Sequence, residues 1–177
     1  MVGSAYSYKA AGGSPPNRVM DETLRTITAR VNEALGTHFN TILMNVYRSG
    51  DDCFAFHRDS TDGWVPGSGF ATLSFGAVRD FQLRSNETGA VTTFAHEPGV
   101  IIYMPHPMND HFTHGIPRRK RVSECRISLT FREIAKTSEA KAFVRKYNSE
   151  LAIRGYSKMK KADLTSTIER KLNESRA

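Results

Sequence analysis

His57 and Asp59 stand two residues apart in Phe56-His57-Arg58-Asp59, at the end of a β-rich run, so in an extended chain they project to one side. An imidazole and a carboxylate placed together offer two ligands to a metal ion, and one further histidine completes a two-His-one-carboxylate set. That set suits Fe(II) and leaves positions open for a cosubstrate and O2. Three later histidines, His106, His111 and His114, fall in one loop-and-strand segment, and the residues alone give the third place to none of them. By itself, a His-x-Asp pair usually means a surface histidine beside a solvated carboxylate.

The run 124–132 (ECRISLTFR) puts Arg126, Ser128, Thr130 and Arg132 on one face of an otherwise apolar strand. An inward guanidinium is costly without an anionic partner, and here there are two. At roughly 3.3 Å per residue their Cα atoms lie about 20 Å apart, and two long side chains leaning together leave a gap suited to a short dicarboxylate. The alternative is a pair of structural salt bridges to acids such as Asp80 or Glu124. On the run 40–47, Asn45 and Tyr47 share a face and bring an amide and a phenol to the same interior. Polar groups converging on one cavity suggest a ligand.

These residues need a scaffold. Met20, Leu24, Ile27, Val31 and Leu35, between Pro15-Pro16 and Gly36, predict an amphipathic helix over 17–35. Short β-rich runs follow at 40–47, 53–57, 70–76, 78–84, 90–95, 100–104 and 124–131, separated by turn signals such as Ser49-Gly50-Asp51 and Pro98-Gly99. This pattern predicts a mainly β sandwich or barrel of α+β type, with the helix packed outside. After Arg132, one stripe of Ala140, Phe143, Val144, Tyr147 and Leu151 and another of Leu164, Ile168 and Leu172 predict a helical hairpin.

A chain of 177 residues, 39% apolar and 24% charged, suits one globular domain with a small appendage. No run approaches the roughly 20 apolar residues of a membrane span, and the start lacks the apolar run of a signal peptide, so an intracellular, non-membrane protein is expected. Cys53 and Cys125 fall in no zinc spacing and are expected to be free thiols. The net charge of +7 is uneven: residues 1–132 hold 14 Lys/Arg against 12 Asp/Glu, and residues 133–177 hold 11 against 6, leaving +2 and +5. A basic module joined to a nearly neutral one suits a polyanion such as nucleic acid, although a solvated helical surface has the same composition.

In order and separation, Asn45-Val46-Tyr47, His57-Arg58-Asp59, Ser74-Phe75-Gly76, Arg79-Asp80-Phe81, His106-Pro107, His111-Phe112-Thr113-His114 and Arg126 through Thr130-Phe131-Arg132 resemble the AlkB family of Fe(II)/2-oxoglutarate dioxygenases. The likeness extends over approximately residues 6–134 and is strongest to the branch that repairs double-stranded DNA. It implies a double-stranded β-helix (jelly roll), to which the helical stripes above add a packed N-terminal helix and a C-terminal helical hairpin. It assigns His57, Asp59 and His114 to iron and Arg126 to the far carboxylate of 2-oxoglutarate. Arg132 and Asn45 fall at the near, metal-chelating end, and Tyr47 and Thr130 match further cosubstrate contacts. Tyr6 and Tyr8 match an aromatic pair that contacts an extruded base, and His111 falls near the substrate mouth. Arg118-Arg119-Lys120-Arg121 matches a loop that grips the phosphate backbone. Stacking a base on such a tyrosine is worth about 1–3 kcal/mol, and four adjacent cations make binding salt-dependent.

The implied reaction is oxidative demethylation of N-alkylated bases in DNA, of the 1-methyladenine and 3-methylcytosine type. Decarboxylation of 2-oxoglutarate is coupled to methyl hydroxylation, and formaldehyde is released. The expected organisation is an oxygenase domain over 1–134 and a basic hairpin over 135–177, in which 152–164 resembles a SAP-type nucleic-acid-binding module; the protein is expected to be a monomer. Two departures stand out. Only five residues precede Tyr6, so the family's lid and duplex wedge are expected to be absent, and Ser60-Thr61 follow the His-x-Asp motif where the nearest relatives carry acids. Alternatives are the same chemistry on RNA or a protein side chain, or a non-catalytic nucleic-acid-binding module with a vestigial metal site.

Overall fold

The apolar stripe ahead of Gly36 forms a helix that begins later than its pattern suggests. In the computed structural model, which describes residues 19–135, α1 spans Glu22–Leu35. Asp21 sets the start: its carboxylate accepts from the Leu24 N–H at 2.8 Å, satisfying an otherwise orphaned donor at the positive end of the helix. Met20 is left ahead of the cap, and Gly36 ends the helix with φ 63°. Tyr6, Tyr8 and all of the expected hairpin except Ala135 lie outside the described residues.

Eight strands follow: β1 (Thr41–Tyr47), β2 (Phe54–His57), β3 (Phe70–Gly76), β4 (Arg79–Ser85), β5 (Val91–His96), β6 (Ile101–Met104), β7 (Phe112–Ile116) and β8 (Arg126–Arg132). A six-residue helix, α2 (His106–His111), precedes β7. Seven of the strands match the predicted runs to within two residues. Neither β7 nor α2 was predicted. The β7 sequence FTHGI puts a histidine and a glycine where a strand pattern expects apolar or β-branched residues, and tertiary pairing overrides that weak local preference.

All pairings are antiparallel, in two four-stranded sheets ordered β1-β8-β3-β6 and β2-β7-β4-β5. The chain changes sheet at every step except the β4–β5 hairpin, which is the winding of a double-stranded β-helix. Tyr47, Trp64, Phe70, Phe81, Leu83, Met104, Ile116 and Ile134 form one core cluster. A second joins the helix residue Val31 to Phe39, Ala71, Leu73, Leu129 and Phe131. Strand β8 serves both purposes. Its alternation gives Leu129 and Phe131 to the helix side and Arg126, Ser128, Thr130 and Arg132 to the opposite face. No helix among the described residues is long and apolar enough to cross a membrane.

Phe131 is fully buried and joins α1 to the sheet. Phe131→Ala should therefore destabilise the chain by about 3–5 kcal/mol in a denaturant titration. A loss under about 1 kcal/mol would mean that the helix does not depend on this face.

Candidate active site

His57, the last residue of β2, faces His114 of β7 directly across the ladder. Their ring centroids are 4.3 Å apart. Between the pairs Phe54↔Ile116 and His57↔His114, β2 carries one more residue than β7. This bulge turns Phe54 and His57 toward the same side, with ring centroids 4.4 Å apart. Gly115 makes the close approach possible, since a Cβ there would lie 2.9 Å from the Phe54 carbonyl oxygen.

Asp59 lies past the end of the strand, so the alternation argument for a His-x-Asp pair does not place it. Asn109 of α2 does. Its amide oxygen accepts from the Asp59 N–H at 3.2 Å and its amide nitrogen donates to the Asp59 carbonyl at 3.0 Å, with both residues buried. Asp59 Oδ1 then sits 3.4 Å from His57 Nε2 and 3.8 Å from His114 Nε2, and one ligand atom from each residue lies within 4.8 Å of the others. The second oxygen, Oδ2, accepts from both Nε and Nη2 of Arg132. Burial alone would raise the Asp59 carboxyl, but His57 and the Arg132 guanidinium outweigh it and hold the group well below the usual carboxylate range.

Burial pushes His114 down to about 4, so its ring is neutral at ordinary pH. His57 Nδ1 lies 2.9 Å from the Ala55 carbonyl, which can only accept, so Nδ1 carries a proton and Nε2 is the nitrogen turned toward Asp59. Two imidazole nitrogens and a carboxylate oxygen converging in this way offer three ligand atoms to one cation. The donor set fits Fe(II), and metal binding would require their deprotonated forms.

Six residues away on the same face of β8, Arg126 is 1% exposed. Ser74 Oγ accepts from its Nε at 2.8 Å and His96 Nδ1 accepts from its Nη2 at 2.9 Å, while Nη1 is buried without a hydrogen-bond partner. The guanidinium carbon lies 5.0 Å from the centroid of the Tyr47 ring. An underpaired buried guanidinium is a site for an anion. The suggested alternative, salt bridges from these arginines to Asp80 or Glu124, is not what forms: Arg132 pairs with Asp59, Arg126 with neutral acceptors, and Asp80 with Arg119.

One solvent-open cavity of about 450 Å³ is lined by the three ligand candidates and by Asn45, Tyr47, Arg126, Thr130 and Arg132, bringing together all eight residues expected for metal and cosubstrate. His111 is exposed at the end of α2 and does not line the cavity. Arg118, Arg119, Lys120 and Arg121 are exposed on the loop after β7, where Arg118 donates to the Asp51 carbonyl. Sequence reasoning missed Asn109, His96 and the acceptor role of Ser74. The only prior signal was a polar side chain placed beside apolar runs.

The sequence pattern of the 2OG-Fe(II) oxygenase superfamily matches residues 2–132. The chain is 34% identical over 146 residues to the human DNA oxidative demethylase ALKBH2, covering 78% of this chain and 55% of that protein. It is 30% identical over 128 residues to the human alpha-ketoglutarate-dependent dioxygenase alkB homolog 3, covering 67% and 45%. The chain thus spans about half the length of these relatives. Among solved structures, OsALKBH1 superposes with a TM-score of 0.52 at 16% identity, over 70% of this chain and 69% of that one, a likeness of fold.

Burial first, and the Arg126 guanidinium second, push His96 down to about 4 from an ordinary 6.5. A lowered histidine favours the folded state fully above about pH 6.5, and that contribution is lost as pH falls toward 4, because the unfolded chain takes up the proton first. With a chelator present, denaturant midpoints of the wild type should fall across this window more steeply than those of His96→Asn, which cannot titrate. Parallel curves would show that His96 is not held neutral.

Proposed function

Because the chain belongs to the 2OG-Fe(II) oxygenase superfamily and, within it, to the AlkB family, we propose that it oxidatively demethylates N-alkylated bases in nucleic acid, DNA foremost, using Fe(II), 2-oxoglutarate and O2. The observation that carries this reading is the convergence of His57, Asp59 and His114 in a cavity that also holds the underpaired Arg126. When bound, the metal with 2-oxoglutarate and O2 supplies the two-electron oxidation that hydroxylates the methyl carbon. One oxygen atom ends in succinate as CO2 leaves, and the other ends on the methyl group. The resulting N-hydroxymethyl base then breaks its C–N bond, giving formaldehyde and the N–H base.

The protein's part is positioning and electrostatics. His57, His114 and Asp59 Oδ1 would hold the metal, and Arg132 keeps the carboxylate ionised. Arg126 would receive the far carboxylate of the cosubstrate, Asn45 and Arg132 would lie at its near, metal-chelating end, and Tyr47 and Thr130 would make further contacts. Nucleic acid as the substrate class is supported by the relatives' DNA demethylase activity and by Lys120 and Arg121, exposed cations with no ion pair among the described residues. Tyr6 and Tyr8 would stack the base, His111 would flank it, and 135–177, within the segment carrying +5, would add phosphate affinity.

Oligonucleotides bearing 1-methyladenine or 3-methylcytosine, as single-stranded DNA, duplex DNA and RNA, should yield formaldehyde and succinate in equal amounts with Fe(II), most on DNA. His114→Ala should abolish both products. No formaldehyde from any of the three substrates, from protein that still binds 2-oxoglutarate, would overturn the nucleic-acid assignment.

The backbone grip can be measured separately. Each phosphate contact contributes about 0.7 (single strand) or 0.9 (duplex) to the slope of log affinity against log salt. Replacing both Lys120 and Arg121 with alanine should flatten the slope by about 1.4 to 1.8. An unchanged slope would remove this loop from the interface.

A further inference from the structure

Arg126 carries a full charge at 1% exposure, yet no carboxylate hydrogen-bonds to it among the described residues. The two acceptors that it meets are neutral. Ser74 and His96 are themselves fully buried, and the segment between β5 and β6 holds both: the His96 Nε2 lies 3.1 Å from the Val100 carbonyl, the Gly99 N–H donates to the Ser74 carbonyl at 2.8 Å, and the Val100 carbonyl accepts from the Ser74 N–H. The ring of Phe81 stands edge-on to that of His96, centroids 6.0 Å apart, and fixes its plane.

The bonds of His96 to the Val100 carbonyl and to Arg126 select one tautomer. A carbonyl only accepts, so Nε2 carries the proton; a guanidinium only donates, so Nδ1 is the lone pair. A neutral imidazole can therefore orient the guanidinium without cancelling its charge. An aspartate in the same place would orient it and also neutralise it, leaving little attraction for an incoming anion. Nη1 is the atom left over, buried and unpartnered in an arginine that lines the cavity.

We infer that His96 is a positioning residue for anion binding, one that fixes the Arg126 fork toward the far carboxylate of 2-oxoglutarate while leaving its charge unspent. The inference rests on the reading that this cavity takes 2-oxoglutarate, and it adds a residue from β5, a strand that contributes no lining residue to the cavity.

Direct binding of 2-oxoglutarate to the full chain loaded with Mn(II), followed by calorimetry, tests it. His96→Leu fills a similar volume without an acceptor and should weaken 2-oxoglutarate by about tenfold or more, as for a lost hydrogen bond to a charged group. Its Mn(II) affinity should stay within about twofold. His96→Asn, whose amide oxygen falls near the Nδ1 position, should recover most of the loss, whereas His96→Gln, whose oxygen falls near Nε2, should not. In turnover, the same variants should raise the KM for 2-oxoglutarate with little change in kcat. Should His96→Leu fail to fold, the contrast between Asn and Gln carries the test. Wild-type affinity in His96→Leu, or equal affinity in the Asn and Gln variants, overturns the role of His96. A wild type that binds Mn(II) but not 2-oxoglutarate overturns the reading of the cavity as well.

Discussion

The site depends on how the Asp59 carboxylate is shared. At 6% exposure an ionised carboxylate has lost most of its hydration, a penalty of several kcal/mol that only a close counter-charge with good hydrogen bonds can offset. Arg132 supplies it, but Nε and Nη2 both donate to Oδ2. A two-oxygen fork, the commoner geometry for this pair, would have engaged Oδ1 too and left it less free to share a metal ion with the histidines. Concentrating the arginine on one oxygen keeps the group ionised and leaves the other directed at His57 and His114. The position of Arg132 on β8 and the Asn109 clamp on the Asp59 backbone together fix this division.

Three guanidiniums are buried in this barrel, and each is treated differently. Arg132 is matched to a carboxylate. Arg79 is held by backbone carbonyls of Ser49, Asp52 and Pro117, which binds the loop after β1 to the loop after β7. Those loops touch so closely that a Cβ on Gly50 would fall 1.8 Å from the Arg119 carbonyl oxygen. Arg126 is matched to a hydroxyl and an imidazole and faces the cavity with a donor to spare. Arg79 Nε and Arg126 Nη1 are both buried without a hydrogen-bond partner, but of these two only Arg126 lines the cavity, where a guanidinium among neutral acceptors is strongly attracted to any anion that reaches it.

Phe81 ties these two ends together. Its ring stacks on His114 at 5.5 Å with planes 12° apart, and meets His96 nearly at right angles. One aromatic side chain thus braces a metal-ligand candidate and the residue that orients Arg126. With Phe70, 5.2 Å from His114, it forms an apolar wall that keeps water from the imidazole and lowers its proton affinity.

Much of this was legible in the linear sequence. The period-2 face of 126–132 predicted that two arginines, a serine and a threonine share one side of a strand, because alternation is a local property of extended backbone. The helical stripe from Leu24 to Leu35 and the turn residues gave the elements for the same reason. The family resemblance, carried by residue order and separation, singled out His114 among three histidines. What a linear reading could not give were partners set by the winding of the two sheets. Asn109 reaches Asp59 across 50 residues and His96 reaches Arg126 across 30. Neither belongs to a motif, since a buried amide or imidazole acquires its role from what packs against it. Likewise, the division of the Asp59 oxygens between Arg132 and the histidines follows from the approach of strands in different sheets. Local sequence determined which groups could act; the tertiary structure decided which lone pairs and donors remain available, because availability is what is left after every buried neighbour has taken its hydrogen bond.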